Sequence, residues 1–289
     1  MKVLFVASAN TEKYKIPPLI KVQGESLKQQ GVDISYFPII GKGFRGYLNN
    51  VSKLKKYLKN NPVDIIHAHF SFSGIVASLA RTNTPVVVSL LGSDVNSSGV
   101  LKKLILKCLP IFSWKSIIVK SEEMSEKLGK TKSHIVPNGV DINLFKPFEQ
   151  MQCRKQLNWN NHKFHILFAA NPKRPEKNFI LTKKSIDQLN NNIELHYFDN
   201  VEHENIPVWL NAADIVLLSS LWEGSPNVIK EGMACRIPIV ATNVGDIEWL
   251  FGNKPGHYLA DFSLDDFTRK IEMAINFVEN QGKTNGRER

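Results

Sequence analysis

The sequence predicts an α/β protein with two doubly wound domains. Short apolar runs rich in Val and Ile alternate with amphipathic stretches, as expected for parallel strands covered by helices on both faces. This alternation occurs twice, and the polar, irregular segment 143–163 separates the two series. A chain of 289 residues is long enough for two domains that each have a full core. We expect a division into residues 1–145 and 146–289.

Each predicted strand is an apolar run bounded by polar or turn residues. In chain order the predicted strands are Lys2–Ser8, Asp33–Ile39, Asp64–His69, Pro85–Leu91, Ser116–Lys120, His134–Val136, His165–Ala170, Ile193–Phe198, Asp214–Ser219, Pro238–Thr242 and His257–Leu259. Helical patterns fill most of the intervals, notably Pro17–Gln30, Gly46–Asn60, Glu176–Asn190, Pro226–Cys235 and Leu264–Asn280. The gap at 143–163 is predicted to be a linker with one short helix.

Composition is that of an ordinary globular protein, with 43% hydrophobic and 22% charged residues. The three cysteines, Cys108, Cys153 and Cys235, are far apart and form no CxxC pair, which indicates a reducing compartment. The first apolar run is too short for a signal peptide, and no run reaches the roughly 18 apolar residues of a membrane span. We therefore expect a cytoplasmic protein.

Positive charge is concentrated in the first half. Residues 1–150 hold 21 Lys and Arg against 10 Asp and Glu, whereas residues 151–289 hold 16 against 17. The basic runs 53–60 and 101–109 have helical spacing with apolar residues on one side. Such runs are typical of a solvated helix face or of a surface that binds an anionic membrane, nucleic acid or acidic substrate. Because no aromatic stacking platform accompanies the lysines, binding to nucleic acid is the weaker prediction. Peripheral binding to the inner face of the cell membrane is the stronger one.

The stretch EGSPNVIKEG, residues 223–232, combines a strand end, a turn and a helix start. Ser225 is predicted as the N-cap and Pro226 as the first helical residue. Free backbone N–H groups at the helix start would attract an anion. The carboxylates of Glu223 and Glu231 could accept hydrogen bonds from sugar hydroxyls. The alternative is that Glu223 only complements the helix dipole and Glu231 is a surface residue.

Three further stretches accompany this motif, namely IVPNGVDINLF at 135–145, FAANPKRPEKN at 168–178 and CRIPIVATNVGDI at 235–247. In this order and spacing the set resembles retaining glycosyltransferases of family 4. The resemblance implies the GT-B architecture, in which two Rossmann-like domains face a central cleft. It also implies an N-terminal acceptor-binding domain and a C-terminal domain that binds a nucleotide sugar. Members of the family usually continue with a further C-terminal helix.

The resemblance implies donor-site roles for particular residues. Glu231 matches the glutamate expected on the ribose, and Glu223 matches the one expected near the donor sugar. Lys177 matches the basic residue expected on the diphosphate, where a fixed cation stabilises the charge of the leaving group. Backbone groups around the sugar and diphosphate are expected from Gly224, Ser225, Pro226, Asn227 and Val228.

The chain departs from the family pattern at several positions. The usual arginine before Lys177 is missing, because Asn171 and Pro172 stand there, and Arg174 or Lys173 is expected to replace it. The alternative for Arg174 is an exposed loop charge. The glycine-rich turn after the first strand is replaced by a segment with Ser8, Asn10 and Thr11.

The first domain offers two candidates for the reacting end of the donor. Leu91 replaces the usual histidine before Gly92-Ser93-Asp94, and Asp94 is a candidate catalytic residue, with a turn-forming aspartate as the alternative. His67 and His69 share one face of a strand, but no further ligand is spaced for a metal. One is expected to be packed and one to line the cleft, and His69 is the candidate with a polar role.

The predicted function is transfer of a hexose from a UDP- or GDP-sugar to an acceptor hydroxyl, with retention of configuration. The expected acceptor is a lipid-linked or polysaccharide glycan of the bacterial surface. No cofactor is expected, and no required metal, since the chain lacks an Asp-x-Asp motif. Two alternatives stay open: a sugar-nucleotide epimerase and a non-catalytic partner subunit that binds nucleotide or anionic lipid.

Overall fold

The protein is described from a computed structural model that covers residues 1–10, 15–80, 83–92, 95, 114–129, 133–189 and 192–289. The chain divides into two compact units, Met1–Pro137 and Asn138–Arg289. Each unit contains its own parallel sheet and its own buried core. The predicted α/β class and the eleven predicted strands are confirmed, with ends that differ by one or two residues.

The first unit is built on a parallel sheet with strand order β2-β1-β3-β4-β5-β6. Its strands are β1 Lys2–Ser8, β2 Asp33–Ile39, β3 Ile65–His69, β4 Val86–Ser89, β5 Ser116–Val119 and β6 His134–Ile135. Its described helices are α1 Pro18–Gln29, α2 Gly43–Leu48, α3 Val51–Asn60, α4 Ser71–Leu79 and α5 Glu122–Leu128. The interior strand β1 buries residues on both of its faces, including Leu4 and Phe5, as the sequence pattern predicts.

The predicted helix Gly46–Asn60 is wrong as a single element, because it forms two helices, α2 and α3. The break falls at Asn50, whose buried side-chain amide donates to the carbonyl oxygens of Ile40 (3.0 Å) and Gly46 (2.8 Å). An asparagine side chain that bonds to nearby backbone competes with continuous helix formation. The apolar side of α3, Leu54 and Leu58, is buried in the core of this unit. Its lysines, in contrast, are exposed.

The second unit has a parallel sheet with strand order β11-β10-β9-β7-β8. Its strands are β7 Phe164–Phe168, β8 Ile193–Tyr197, β9 Ile215–Leu218, β10 Ile239–Thr242 and β11 His257–Ala260. Its described helices are α6 Gln150–Leu157, α7 Phe179–Asp187, α8 Ile206–Ala212, α9 Asn227–Ala234, α10 Ile247–Phe251 and α11 Leu264–Gln281. In β9, Ile215 and Leu217 enter one core, whereas Val216 and Leu218 enter the core on the opposite face.

The segment 143–163 packs on the second unit rather than forming a free linker. Phe145 is 1% exposed in the core of that unit. Arg154 on α6 donates from Nε to the carbonyl oxygen of Ala212 (2.9 Å) and pairs through Nη2 with Asp214 Oδ1 (2.7 Å). The predicted division after residue 145 therefore lies beyond the observed one, which follows Pro137. The assignment of acceptor and donor roles to the two halves stays a prediction.

The longest described helix is α11, which buries the four apolar residues Phe267, Ile271, Ala274 and Phe277 and exposes polar residues on its other side. It begins at Ser263, whose hydroxyl accepts from the backbone N–H of Asp266 as an N-cap. None of the helices in the described part of the chain has the length and apolar character needed to cross a bilayer.

Candidate active site

Polar loops gather at the carboxyl edge of the sheet in the second unit. The strands β7, β9 and β10 are neighbours and run parallel, so the loops that follow them meet at one edge. Ligands of open α/β sheets bind at this edge. The loop after β7 carries Lys177, the loop after β9 carries Glu223, and the loop after β10 carries Gly245 and Asp246. The candidate active site is built from these loops and from the start of α9.

At the centre of this edge, Lys177 Nζ forms an ion pair with Glu223 Oε1. Both side chains are largely buried, with 11% and 12% of their surface exposed. Ser220 Oγ donates to the same carboxylate oxygen (2.6 Å), so Glu223 is held from two sides. The ammonium is thereby fixed in a partly dehydrated position. Such a preorganised cation stabilises negative charge more strongly than one in water.

Backbone and hydroxyl contacts hold the two loops of this pair together. Leu221 N donates to the carbonyl oxygen of Glu176 (2.9 Å). The buried hydroxyl of Ser219 lies 3.1 Å from the carbonyl oxygen of Lys177 and 3.0 Å from that of Asn178. These contacts fix the backbone on both sides of the ion pair. The sequence motif did not reveal Ser219 and Ser220, because they belong to the end of an apolar strand.

Glu231 lies on α9 and is 6% exposed, which rules out the surface-residue alternative. Burial raises the pKa of its carboxyl to about 7, although the neighbouring Lys230 acts in the opposite direction. Among the described residues, none donates a hydrogen bond to this side chain, and Lys230 Nζ donates to Ser225 instead. A buried carboxylate that lacks donors is costly to leave unpaired. It therefore suits a ligand that brings hydroxyl groups.

The predicted helix start is wrong by one residue. Pro226 has ψ 116° and lies outside the helix as its cap, and α9 begins at Asn227. Ser225 therefore does not cap the helix, and its hydroxyl accepts from Lys230 Nζ instead (2.9 Å). Asn227 Oδ1 is buried without a hydrogen-bond partner among the described residues. Together with the first N–H groups of α9, it is a second polar group at this edge that a ligand could satisfy.

The turn at Gly224 is tightly packed against the loop after β10. Gly245 has φ +64°, and a Cβ at this position would lie 2.6 Å from the carbonyl oxygen of Gly224. Only glycine permits both this backbone conformation and this close approach. Pro226 is buried beside the turn, and Val228 packs against the core of the second unit. The predicted residues 223–228 thus form one continuous part of the edge.

Arg174 is directed to another acidic residue. Its side chain is 55% exposed, and its Nε donates to Glu176 Oε1 (2.7 Å). This contact fits the alternative of an exposed loop charge better than contact with the diphosphate. Its role in donor binding stays a prediction.

Two residues at this edge were not predicted from the sequence. Lys230 is largely buried, which lowers its pKa, and its Nζ donates to the carbonyl oxygen of Asn138 (2.7 Å) as well as to Ser225. Asp246 is 8% exposed, and burial raises the pKa of its carboxyl. Lys230 adjoins Glu231 and Asp246 lies within the quoted stretch 235–247. Sequence alone does not show that either is buried.

In the first unit, both histidines of β3 are buried, and their rings stack with centroids 4.3 Å apart. His67 Nε2 bonds to Ser89 Oγ (2.8 Å), whereas His69 Nε2 has no partner among the described residues. Burial lowers the pKa of His67 to about 4 and that of His69 well below its usual value. Phe5 packs against both rings, so both histidines are packed in the first unit. That His69 lines a cleft stays a prediction. A catalytic role for His69 stays a prediction.

The residue after His69 has an unusual backbone. Phe70 has φ 83°, a conformation that costs free energy for a bulky residue and that is concentrated at functional sites. Nearby, Leu91 is half-buried and Gly92 has φ +95°. The candidate Asp94, its neighbour Ser93, Thr11 and the basic run 101–109 lie outside the described residues.

The two parallel α/β units have the architecture of the GT-B fold. The sucrose-phosphate synthase of Thermosynechococcus elongatus has a similar structure, with a TM-score of 0.80 and 16% identity over 99% of this chain and 93% of that one. The Anabaena protein Alr3699/HepE, solved in complex with UDP-glucose, gives a TM-score of 0.77 at 16% identity over 99% of this chain and 92% of that one. At these identities the similarity establishes the fold alone.

Two family models match the chain, and together they cover most of it. Residues 12–144 match the model described as Glycosyltransferase Family 4, and residues 149–276 match the one described as Glycosyl transferases group 1. The chain belongs to glycosyltransferase family 4, which confirms the family inferred from the motifs. The retaining mechanism stays a prediction.

Two bacterial relatives are similar in sequence. The Bacillus subtilis (strain 168) glycosyltransferase TuaC, assigned to teichuronic acid biosynthesis, is 27% identical over 216 residues. That match covers 65% of this chain and 55% of TuaC, so the chain spans little more than half of that relative. The Escherichia coli UDP-Gal:alpha-D-GlcNAc-diphosphoundecaprenol alpha-1,3-galactosyltransferase is 26% identical over 268 residues, covering 78% of this chain and 69% of that protein.

Proposed function

We propose that the protein is a retaining glycosyltransferase that moves a hexose from a UDP- or GDP-sugar to an acceptor hydroxyl. The observation that carries this proposal is the buried Lys177–Glu223 ion pair, which stands beside the start of α9 and the buried Glu231. A cation, free helix N–H groups and a buried carboxylate at one edge suit the diphosphate and hydroxyl groups of a nucleotide sugar. The relatives named above point to the same class of donor.

Donor binding would engage the edge from both ends of EGSPNVIKEG. Glu231 accepts hydrogen bonds from the ribose hydroxyls, and these bonds compensate for the burial of its carboxylate. The diphosphate lies against the first N–H groups of α9 and against Lys177. The diphosphate competes with Glu223 for Lys177. The carboxylate of Glu223 then accepts a hydrogen bond from a hydroxyl of the donor sugar. In this proposal, Arg174 exchanges its contact with Glu176 for a contact with the diphosphate of the donor.

The transfer step needs no protein nucleophile. The bond between the anomeric carbon and the β-phosphate oxygen breaks, and the acceptor oxygen bonds to the same face of the anomeric carbon. The proton of the acceptor hydroxyl passes to the departing diphosphate. Lys177 and the helix start stabilise the charge that develops on this diphosphate, and this differential stabilisation lowers the barrier. His69 and Asp94, from the first unit, are the proposed groups at the reacting sugar.

The acceptor is proposed to be a lipid-linked or polysaccharide glycan of the bacterial surface. The name of the Escherichia coli relative specifies a diphosphoundecaprenol-linked acceptor, and that of TuaC specifies teichuronic acid biosynthesis. A cytoplasmic protein that meets a lipid-linked acceptor has to approach the inner face of the membrane. The basic first half of the chain is consistent with such an approach.

Membrane approach through α3 would be electrostatic. Its apolar residues Leu54 and Leu58 are used in the core, so only the lysines Lys53, Lys55, Lys56 and Lys59 remain to meet lipid headgroups. Each basic residue near an anionic surface contributes about 1 kcal/mol, and salt weakens this attraction. We expect co-sedimentation with anionic vesicles at low salt, and little with neutral vesicles or at high salt. Binding that ignores lipid charge would contradict a peripheral electrostatic contact.

The donor is identified by a thermal-shift panel of UDP- and GDP-sugars, because a ligand that binds only the native state raises the melting temperature. The sugar that gives the largest shift is then incubated with lipid-linked acceptors, and NMR of the product reports the anomeric configuration. Product with the donor's configuration supports the proposal, and inverted product contradicts the retaining mechanism. Epimerised donor without an acceptor would indicate an epimerase. Donor binding without transfer or hydrolysis would indicate a non-catalytic partner subunit. This alternative stays open because Leu91 replaces the usual histidine.

A further inference from the structure

A cluster of metal-ligand side chains lies on the neighbouring strands β7 and β8 of the same sheet, and none of its members is a candidate active-site residue. His165 is the second residue of β7, and Glu194 and His196 lie on the neighbouring strand β8. The parallel register pairs His165 with Glu194, and residues two apart on a strand share a face. All three side chains therefore point to one place between the two strands. Neither the family motifs nor the proposed reaction uses them.

The three ligand atoms have the separations that a small cation requires. His165 Nδ1 lies 2.9 Å from His196 Nε2 and 3.6 Å from Glu194 Oε2. His196 Nε2 lies 3.9 Å from the same carboxylate oxygen. Zinc bonds to histidine nitrogen and carboxylate oxygen at about 2.0–2.2 Å, so pairs of its ligands lie roughly 3–4 Å apart. One ion can contact all three atoms with only small side-chain movements.

The surroundings of His165 determine which of its two ring nitrogens has a lone pair for a metal. Its Nε2 lies 2.8 Å from the backbone carbonyl oxygen of Asn160, which can only accept a hydrogen bond. Nε2 therefore carries the proton, and the lone pair is on Nδ1, facing His196 and Glu194. A second nitrogen that donates to a carbonyl is the usual support of a metal-bound histidine. His165 itself is fully buried, which fixes this orientation.

The orientation of His196 is fixed as well. Its ring stacks on Trp159 with centroids 3.6 Å apart and an interplanar angle of 9°, and Trp209 meets Trp159 edge-on. The nearby cation Arg154 is paired with Asp214, and the other oxygen of that carboxylate accepts from His165 N (2.7 Å). Because Asp214 pairs with Arg154, the guanidinium repels a cation bound by the three ligands less strongly. Glu194 is 39% exposed, so an ion can enter from solvent and keep water as a fourth ligand.

We propose that His165 Nδ1, His196 Nε2 and Glu194 bind Zn²⁺, which ties the edge strand β8 to its neighbour β7. Two imidazoles and one carboxylate are a ligand set that suits Zn²⁺. On binding, His196 shifts its proton from Nε2 to Nδ1, and the ion takes the place of that proton. The site shares no residue with the candidate active site and has no part in the proposed transfer step.

The test is a zinc titration of metal-depleted protein by calorimetry, together with the shift in melting temperature. We expect Zn²⁺ to bind and to raise the melting temperature. Glu194→Gln keeps the shape of a half-exposed side chain but removes a charged ligand, and His196→Ala removes an imidazole. Loss of an outer partner alone costs about 10–100-fold in metal affinity, so each change is expected to cost at least that much.

A matched control is His162→Ala, which removes an exposed imidazole in the loop next to Asn160 without touching the three ligands. We expect it to bind Zn²⁺ like the parent. Quenching of tryptophan fluorescence by Cu²⁺ gives a second readout, since Trp159 stacks on His196, and Trp159→Phe should lose most of this quenching. No zinc-dependent shift in the parent, or an equal zinc affinity in Glu194→Gln and the parent, would overturn the proposal. If His196→Ala does not fold, Glu194→Gln decides alone.

Discussion

The carboxyl edges of the two sheets differ in the kind of polar group that they bury. In the second unit the edge holds charged groups, namely the Lys177–Glu223 ion pair and the acidic residues Glu231 and Asp246. In the first unit, β3 holds the imidazoles His67 and His69, whose pKa values are lowered by burial, and Lys120 is buried directly after β5. The second edge is suited to a ligand that carries charge and hydroxyl groups. The first edge offers the neutral imidazoles His67 and His69 beside Lys120, and these imidazoles suit hydrogen bonds to uncharged groups.

The two edges are expected to contribute differently, the second to donor binding and the first to the transfer step. Buried charges are costly unless a partner compensates for them, so the second edge should gain most from ligand binding. The neutral histidines can donate or accept one hydrogen bond but attract no diphosphate. Changes at the second edge should therefore alter donor binding or leaving-group stabilisation. Changes at the first edge should alter transfer alone.

The largest effect is expected from Lys177→Ala. The variant loses the cation that faces the leaving diphosphate and leaves Glu223 buried without it, so kcat should fall about 10²–10³-fold. The change in KM should be smaller, because the charge on the diphosphate grows during bond cleavage. Steady-state kinetics with a saturating acceptor measures both constants. Lys183→Ala is the matched control, since it removes a lysine from the exposed pair with Asp187. A change confined to KM would make Lys177 a uniform binder.

Glu231→Ala should weaken donor binding about tenfold to a hundredfold, because a charged hydrogen bond to buried hydroxyls is worth about 1.5–3 kcal/mol. Calorimetry with the nucleotide sugar measures the affinity directly. Glu279→Ala, at a surface position on α11, is the control. Equal affinities in Glu231→Ala and the parent would remove Glu231 from the donor site.

Donor affinity should also depend on pH through Glu231. In the ligand-free protein, burial raises its pKa to about 7, and the ionised form is the one that accepts ribose hydroxyls. A proton therefore competes with the donor, and affinity should fall roughly tenfold from about pH 8 to about pH 6. The diphosphate of a nucleotide sugar keeps its charge over this range. Calorimetry at several pH values measures the slope, and Glu231→Gln should flatten it. An unchanged slope in Glu231→Gln would assign the titration to another group, such as Asp246.

His69→Asn should have the smallest effect on donor affinity and should slow the transfer step selectively. The variant keeps a polar group but loses the imidazole, and kcat should fall about tenfold or more while donor affinity stays the same. The matched change His67→Asn disturbs the bond to Ser89 and should mainly lower the melting temperature. If His69→Asn weakens donor binding as much as it slows transfer, the separation between the two edges is wrong.

The sequence predicts the strands well because a strand buried on both faces has to be apolar throughout, as β9 is. It predicts Glu223, Lys177 and Glu231 because they lie in short stretches whose order resembles a known family. It fails where a side chain decides the backbone, as at Asn50, which breaks a continuous helical pattern. It also places the start of α9 one residue early, because Ser225 meets the requirements of an N-cap but is engaged by Lys230.

The remaining site residues depend on tertiary contacts that no local pattern contains. Lys230 is adjacent to Glu231 in sequence, but its burial follows from its bond to the backbone of Asn138, 92 positions away. Asp246 is buried because Gly245 lets its loop approach Gly224. In the same way, the alternation of β3 does not reveal that Phe5 packs on the ring of His69. Burial of polar groups is therefore the property that the sequence reveals least.

We expect the second unit to hold the donor at the edge formed by Lys177, Glu223 and Glu231. Hydrogen exchange followed by mass spectrometry, with and without the nucleotide sugar that gives the largest thermal shift, tests it directly. We expect increased protection in peptides that cover 171–178 and 221–232, and we expect Glu231→Ala to lose this protection at an equal donor concentration. Protection confined to residues 1–137, or an unchanged exchange pattern at a saturating donor concentration, would contradict it.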